Sequence, residues 1–190
     1  MPIPLRACAA AVTLFAVAAC SSLPSSPAQV TEHDLGAPFA IGAASPTMPL
    51  RALNVVAQPV VNGVSMDYRE ARNPTRRGSY AHNRWAAPPA ALVDGALNRL
   101  LAVDGGGRCR LQVSLAEFIV DVDAAGKGRA LLSADLRLAG KADSSGVQTS
   151  VDIAVPMAQV SPAAGAVALR EAVAQLGTQA AAWLAGPAGG

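Results

Sequence analysis

The sequence has little of the material from which most active sites are built. Its 190 residues include only two histidines, His33 and His82, and three cysteines, Cys8, Cys20 and Cys109. The cysteines are scattered and no C-x-x-C pair occurs, which argues against a metal site. Catalysis that combines histidine with cysteine or serine has few residues to draw on. The composition therefore favours a protein that is not an enzyme, and it calls for no cofactor.

Charge is also sparse. The formal net charge is only +2, and lysine occurs twice, beside thirteen arginines. Nucleic-acid-binding domains usually carry a strongly basic face, so a nucleic-acid partner is not expected. The hydrophobic fraction of 52% suffices for a core, although much of it is alanine, which buries little area. The length allows one ordinary domain with tails.

A short apolar run lies near the start of the chain. Residues 7–19 are almost continuously apolar and follow Arg6. A membrane-spanning helix needs about 20 apolar residues, so this run is too short to span. It has the length of the hydrophobic region of a signal peptide, and Ala16-Val17-Ala18 offers an ordinary cleavage site. The sequence predicts a signal peptide over residues 1–19.

The next residue is Cys20, and Val17-Ala18-Ala19-Cys20 resembles the bacterial lipobox, an aliphatic residue, two small residues and a cysteine. The resemblance implies that Cys20 becomes the first residue of a lipoprotein, with diacylglycerol on its sulfur and a fatty acid such as palmitate on its amine. Cys8 fails the same comparison, because Arg6 occupies a small-residue position and no apolar run precedes it. The alternative is a secreted protein in which Cys20 is a small buried residue.

The residues after Cys20 indicate where the protein would reside. Ser21 stands where an aspartate would, in enterobacterial lipoproteins, signal retention in the inner membrane. That resemblance favours the periplasmic face of the outer membrane. One acyl chain holds a protein marginally, at about 0.8 kcal/mol per buried methylene, whereas two or three hold it firmly. Residues 20–49 are rich in Ser, Pro, Ala and Gly without a sustained period, which predicts a flexible tether.

One α+β domain is predicted over residues 50–186, followed by a disordered tail over 187–190. Its first part contains three short β-prone stretches, the first interrupted at Pro59, which suggests an edge position or a strand end. Pro88-Pro89 then opens a helix, because proline is tolerated in a first turn. Apolar residues recur at helical spacing from Leu92 to Leu101, and the glycines at 105–107 end the helix.

The second part of the domain alternates more clearly. The apolar phase changes between Leu115 and Phe118, so we predict a β-bulge near Ala116-Glu117. Three alternating stretches over about 111–155 predict an antiparallel meander with one buried face. A last helix begins with Ser161 as N-cap and Pro162 at its first position. The predicted order is β-β-β-α-β-β-β-α, an α+β sandwich with one mixed, mostly antiparallel sheet and two helices on one face.

Several residues could carry chemistry, and each has a simpler interpretation. Asp121 and Asp123 share one strand face, as paired carboxylates for metal or acid-base work do, but the hairpin turn beside them favours a solvated end. The glycines at 105–107 precede a strand, so they lack the helix dipole that cradles phosphate. His82 has no partner at motif spacing and is expected to be exposed. Cys109 is expected to be a small buried thiol.

Five arginines cluster in the hairpin between Tyr68 and Trp85. The simpler interpretation is a solvated, charged edge. The functional one is contact with an acidic partner or with lipid headgroups. The residues are Arg69, Arg72, Arg76, Arg77 and Arg84.

The segment Tyr80-Ala-His-Asn-Arg84-Trp85-Ala-Ala-Pro88-Pro89 resembles the Tyr-x-x-x-Arg-Trp-Ala-x-Pro-Pro signature of ABC-type transport auxiliary lipoproteins. These are outer-membrane partners of the paraquat-inducible type of mammalian-cell-entry (MCE) lipid transport systems. The resemblance covers Cys20 and roughly residues 50–185, with matching element order. From the residues alone, Trp85 is expected to bury its ring while Pro88 and Pro89 set the helix entry angle, a structural role.

The resemblance implies a non-enzymatic accessory subunit, anchored through Cys20, whose partner is an inner-membrane MCE transport protein. A homo-oligomer is left open. One alternative is a cell-envelope assembly or secretion lipoprotein that binds another outer-membrane protein. A periplasmic hydrolase is the third hypothesis, and the lack of a nucleophile at histidine spacing argues against it.

Overall fold

The computed structural model describes residues 29–44, 50–140 and 146–186, which form a mixed sheet and two helices. No helix in these ranges has the length and hydropathy of a membrane span. From residue 50 onward the predicted α+β class and element order are confirmed. The elements are β1 (Thr31–His33), β2 (Leu50–Ala57), a 3-10 turn (Pro59–Val61), β3 (Ser65–Glu70), β4 (Arg77–Trp85), α1 (Pro89–Leu100), β5 (Cys109–Val122), β6 (Gly128–Ala139), β7 (Val147–Pro156) and α2 (Pro162–Ala185).

Strand β5 organises the sheet because it is long enough to take two neighbours on one edge. The first half of β5 pairs in parallel with β2, and its last residues pair in parallel with β3. The 3-10 turn at Pro59 separates these two strands, so the proline marks a strand end, one of the two positions that the sequence suggested. On the other edge, β6 and then β7 continue as the predicted antiparallel meander. β4 is antiparallel to β3, and β1 is parallel to β4.

The predicted β-bulge is confirmed, because the register between β5 and β6 shifts between Leu115 and Glu117. The shift keeps Phe118 and Val120 in the buried core. It turns Glu117 and Asp121 to the opposite side, which we call the open face. The bulge thus permits a buried and a charged face on one 14-residue strand.

Both helices pack on the core side of the sheet. In α1, the Asp94 carboxylate accepts a hydrogen bond of 2.9 Å from the Val55 amide of β2. In α2, Ser161 is the N-cap as predicted, and its hydroxyl accepts from the Ala164 amide at 3.2 Å. The helices cross closely at Gly177, where an added Cβ would stand 2.9 Å from Leu100 Cδ1. A larger residue at this crossing would force the Leu100 side chain to move.

The first helix ends earlier than the sequence suggested. It stops at Leu100, and Ala102 adopts a φ of 49°, so the chain has already turned before the glycines at 105–107. Leu101 caps the helix through backbone bonds of its amide to Arg99 and Leu97 carbonyls. Non-glycine residues can adopt this left-handed conformation at some cost, which explains why glycine was a poor guide to the boundary.

Part of the range predicted as tether is ordered on the domain. β1 pairs with β4, setting His33 opposite Trp85. Residues 34–44, which we call the strap, then cross the helices and bury Leu35, which is 7% exposed. The amides of Gly42 and Ala44 donate to helix α1 carbonyls at 2.8 and 3.0 Å. The domain therefore begins about twenty residues before Leu50.

Candidate functional site

The predicted lipidation site, Cys20, lies outside the described residues, as does Cys8. The prediction that Cys20 is acylated therefore rests on its sequence context. The other predicted residues fall in the described ranges, and the structure separates them into three groups. These are a buried motif, a paired charge network and an exposed end of the sheet.

The segment over residues 84–89 joins β4 to α1, and it buries Trp85 and Pro89 while Arg84 stays exposed. Trp85 is 1% exposed, and its ring lies 5.2 Å from that of Phe118, tilted by 56°. Its backbone amide donates to the Val64 carbonyl at 2.7 Å. Pro88 is the N-cap of α1, and Pro89, which is buried, is its first residue. Trp85 therefore packs in the core and Pro88-Pro89 begin the helix, which is the structural role predicted for them.

Tyr80, the first residue of the motif, is half-buried beside Tyr68, with ring centroids 4.9 Å apart. Its hydroxyl is buried without a hydrogen-bond partner in the described part of the chain. Burial, and secondarily the charge of Tyr68, raises the pKa of Tyr80 above 10.0. Gly78 is needed beneath these rings, because an added Cβ would stand 2.6 Å from Tyr68 Cζ.

Two of the five hairpin arginines are bound in an ion-pair network on the open face. Arg77 of β4 contacts Glu117 at 2.6 Å, and Glu117 also contacts Arg69 of β3 at 3.3 Å. Arg69 continues to Asp121 at 3.2 Å, which in turn pairs with Arg129 of β6 at 2.8 Å. The chain of charges thus crosses four neighbouring strands. Their partial burial makes these pairs stronger than ordinary surface ion pairs.

The network changes the interpretation of the paired carboxylates. The side chain of Asp121 is only 14% exposed and fully occupied by two arginines, so it is not a solvated strand end. Asp123 lies beyond the strand and stabilises the β5–β6 turn, accepting from the Ala125 and Lys127 amides at 2.8 and 2.9 Å. The two carboxylates therefore perform separate tasks. Within the described ranges, no group of three metal-ligating side chains is gathered.

The other three hairpin arginines are exposed. Arg84 pairs with Glu32 of β1 at 2.6 Å, an exposed contact that contributes little. Arg72 and Arg76, in the turn between β3 and β4, have no side-chain partner among the described residues. A cavity of about 120 Å³ opens beside Arg76, lined also by Tyr68 and Glu70. Of the five, these two remain free to meet a partner.

The remaining sequence candidates lie apart from one another. His82 is exposed on β4, as expected, with no side-chain partner in the described part of the chain. Cys109 was expected to be buried, but it is a half-buried free thiol that packs against the edge of the core at the start of β5. In the loop before it, Asp104 accepts a hydrogen bond from the Gly106 amide at 2.8 Å. These side chains form no common site.

Sequence reasoning missed Arg170, which fastens the strap. From α2 its guanidinium donates to the carbonyls of Leu35 and Ala37, the latter at 2.6 Å, and lies 4.2 Å from the Phe39 ring centroid. Arg99 of α1 adds a bond of 2.8 Å to the Phe39 carbonyl. A cavity of about 270 Å³ remains between the strap and α1. The sequence signal was weak: Arg170 is the one basic residue of an alanine-rich helix that also carries other polar side chains.

Several solved structures share this fold, among them two with the following similarity. The crystal structure of protein XCC0632 from Xanthomonas campestris, of the family DUF330, matches with a TM-score of 0.69 at 18% identity, covering 81% of this chain and 94% of that one. A crystal structure of an uncharacterized protein matches with a TM-score of 0.64 at 12% identity, covering 82% and 99%. No family model and no curated protein matches the sequence. At these identities the likeness concerns the fold.

Proposed function

We propose that this protein is an outer-membrane-anchored periplasmic lipoprotein that serves as a non-catalytic accessory subunit of an ABC/MCE-type lipid transport system. The observation that carries the proposal is the Arg84-Trp85…Pro88-Pro89 segment, which resembles the auxiliary-lipoprotein signature and forms the β4–α1 junction of this fold. DUF330, the family of one structural neighbour, is the family of the paraquat-inducible type of auxiliary lipoprotein. Sequence motif and fold therefore support the same family.

The geometry supports a holding role rather than that of a lipid carrier. The cavity between strap and α1 measures about 270 Å³. Sites that enclose a drug-sized ligand measure about 300–1,000 Å³, and a phospholipid is larger still. In the most connected charged surface, on the open face, each of the five charged side chains is already paired with another member of the network. In this proposal lipid moves through the partner assembly, and nucleotide hydrolysis belongs to other subunits.

Two experiments test the proposal in parts. A Cys20→Ala variant should lose its association with the outer membrane, because the acyl chains attach there, while the matched Cys109→Ala variant should keep it. A Cys20→Ala protein that still fractionates with the outer membrane would show that the predicted anchor is wrong.

Crosslinking of the acylated protein in cells should capture an MCE protein. Capture of an outer-membrane barrel instead, and never an MCE protein, would favour the cell-envelope assembly alternative.

A further inference from the structure

Three loops meet at one end of the sheet, and we propose that this end rests on the anionic phospholipid headgroups of the membrane that holds the acyl anchor. We call it the loop end: the β3–β4 turn (71–76), the β5–β6 turn (123–127) and the β7–α2 loop (157–161). The Ala71 amide donates to the Val122 carbonyl at the end of β5 at 2.8 Å, and the Met157 amide donates to the Gly128 carbonyl at the start of β6 at 2.9 Å, so both loops are fixed to the ends of neighbouring strands. The inference depends on the proposed acylation of Cys20.

The direction of β1 selects this end. β1 runs parallel to β4, with Thr31 opposite Asn83, and β4 starts at Arg77, at the loop end. The chain that leads into Thr31 therefore enters from the loop-end side. Asn83 lies six residues from Arg77, or about 20 Å along the strand. The ten residues between Cys20 and Thr31 span at most about 35 Å when extended, which covers that distance.

The chemistry of the loop end suits a headgroup surface. Arg72 and Arg76 are exposed and unpaired among the described residues, and so is the ammonium group of Lys127. Val160, in the β7–α2 loop, is 41% exposed. Guanidinium groups bind phosphate oxygens in pairs, and basic residues beside an exposed apolar one are typical of peripheral membrane contacts.

Acidic groups do not neutralise these cations directly. Asp123 is turned toward the amides of its own turn. Glu70 is exposed at the end of β3 and makes no ion pair in the described part of the chain. With three free cations against these two acids, the local excess is small. The contact therefore orients an anchored domain rather than recruiting a free one.

The opposite end of the sheet provides a matched control. Arg51, Arg108 and Arg110, near the starts of β2 and β5, are also exposed and unpaired among the described residues. They carry the same formal charge as the cations of the loop end. If charge alone decided the orientation, either end could face the membrane. The inference predicts that only the loop end does.

The test uses the acylated protein reconstituted into vesicles of phosphatidylethanolamine and phosphatidylglycerol. A fluorophore is attached at Thr75→Cys in the β3–β4 turn or, as control, at Val147→Cys at the opposite end, each with Cys109→Ser. A nitroxide on lipid headgroups should quench the first label and spare the second. Each basic residue near an anionic surface contributes about fivefold, so Arg72→Gln with Arg76→Gln should weaken the contact about thirtyfold. Arg51→Gln with Arg110→Gln should leave it unchanged.

The outcomes separate the orientation from the anchor. A protein that does not enter the vesicles refutes the anchor, and this orientation with it. An anchored protein that shows no quenching at residue 75, or stronger quenching at residue 147, refutes the orientation alone. Equal quenching in phosphatidylcholine vesicles, or no effect of the loop-end variants, refutes recognition of anionic headgroups. In cells, crosslinks from residue 75 to a protein rather than to lipid would make the loop end a protein contact and refute the inference.

Discussion

Replacing Arg170 by alanine should release the strap from the helices without unfolding the sheet. The guanidinium is the one side chain of α2 that bonds to the strap in the described part of the chain, through the carbonyls of Leu35 and Ala37. The strap has its own backbone bonds to α1. The strands and the core between sheet and helices do not involve Arg170. The expected effect is therefore local.

The size of the effect follows from three contacts. Hydrogen bonds to a charged group contribute about 1.5–3 kcal/mol each when buried. Partial exposure of Arg170 reduces each of its two bonds to about 1 kcal/mol. The stacking over Phe39, at 4.2 Å, adds about 0.5–1 kcal/mol. The sum of about 2.5–3 kcal/mol corresponds to an opening equilibrium about 70- to 150-fold larger.

Hydrogen exchange measures this opening residue by residue. The amides of Gly42 and Ala44 report on the strap, because they donate to carbonyls of α1. Their protection should fall by the factor above in Arg170→Ala, while core amides of β6 keep theirs. Arg170→Lys should lie between, because lysine retains the charge but not the planar fork. Glu171→Gln, at an exposed neighbour on the same helix, is the control and should change nothing.

Two results would refute this reasoning. Unchanged protection at the strap amides in Arg170→Ala would mean that Leu35 and the backbone bonds hold the strap alone. An equal loss of protection at strap and core amides would mean that the strap unfolds only together with the domain. In the second case residues 34–44 are an integral part of the core, and Arg170 stabilises the whole fold.

Three further predictions concern the sheet. Glu117→Gln should lower the free energy of unfolding by about 1–2 kcal/mol, because two partly buried arginines lose their shared anion; denaturant titrations should show the loss shrinking at high salt, and a loss independent of salt would contradict the ion-pair explanation. Gly78→Ala should lower the free energy of unfolding by about 1–3 kcal/mol, because the added Cβ overlaps the Tyr68 ring. Gly95→Ala, at an exposed helix position with nothing within 4 Å, should raise it by about 0.5–1 kcal/mol. Thermal melts in which the two variants shift in the same direction would argue against the overlap at Gly78. The raised pKa of Tyr80 favours the neutral folded form, so stability should fall as pH rises above 10.0 towards the folded pKa; Tyr80→Phe should remove that part of the decline, and an identical pH profile would contradict it.

Local signals in the sequence predicted the parts of the fold that depend on neighbouring residues. When the alternation of apolar residues moves from odd to even positions within one strand, the strand must contain an extra residue, so the bulge before Phe118 could be predicted. The Ser161-Pro162 pair marked a helix start because both residues suit a first turn. The parallel pairing of both β2 and β3 with β5 could not be predicted from the sequence. It depends on contacts about fifty residues apart, such as that between Arg69 and Asp121.

The strap and the arginine cluster show why the rest could not be predicted. The strap has the composition of a linker, and Arg99 and Arg170 order it from 60 or more residues away. The five hairpin arginines are neighbours in sequence, but strand alternation and partners on β5 remove Arg69 and Arg77 from the exposed set. The sequence located the hairpin that carries the arginines, but only the ion pairs formed with distant strands show that Arg72 and Arg76 are the unpaired ones among the described residues.

The parallel pairing of β1 with β4 also has a mechanical consequence. A force that draws the domain away from an N-terminal anchor pulls β1 along its own axis. In that geometry the bonds between the two strands are sheared together rather than peeled apart one at a time. The bonds from Arg170 to the strap carry the force next and pass it to helix α2. The strand β1 and the side chain of Arg170 would thus set the force at which the N-terminal segment detaches from the domain and adds its length to the tether.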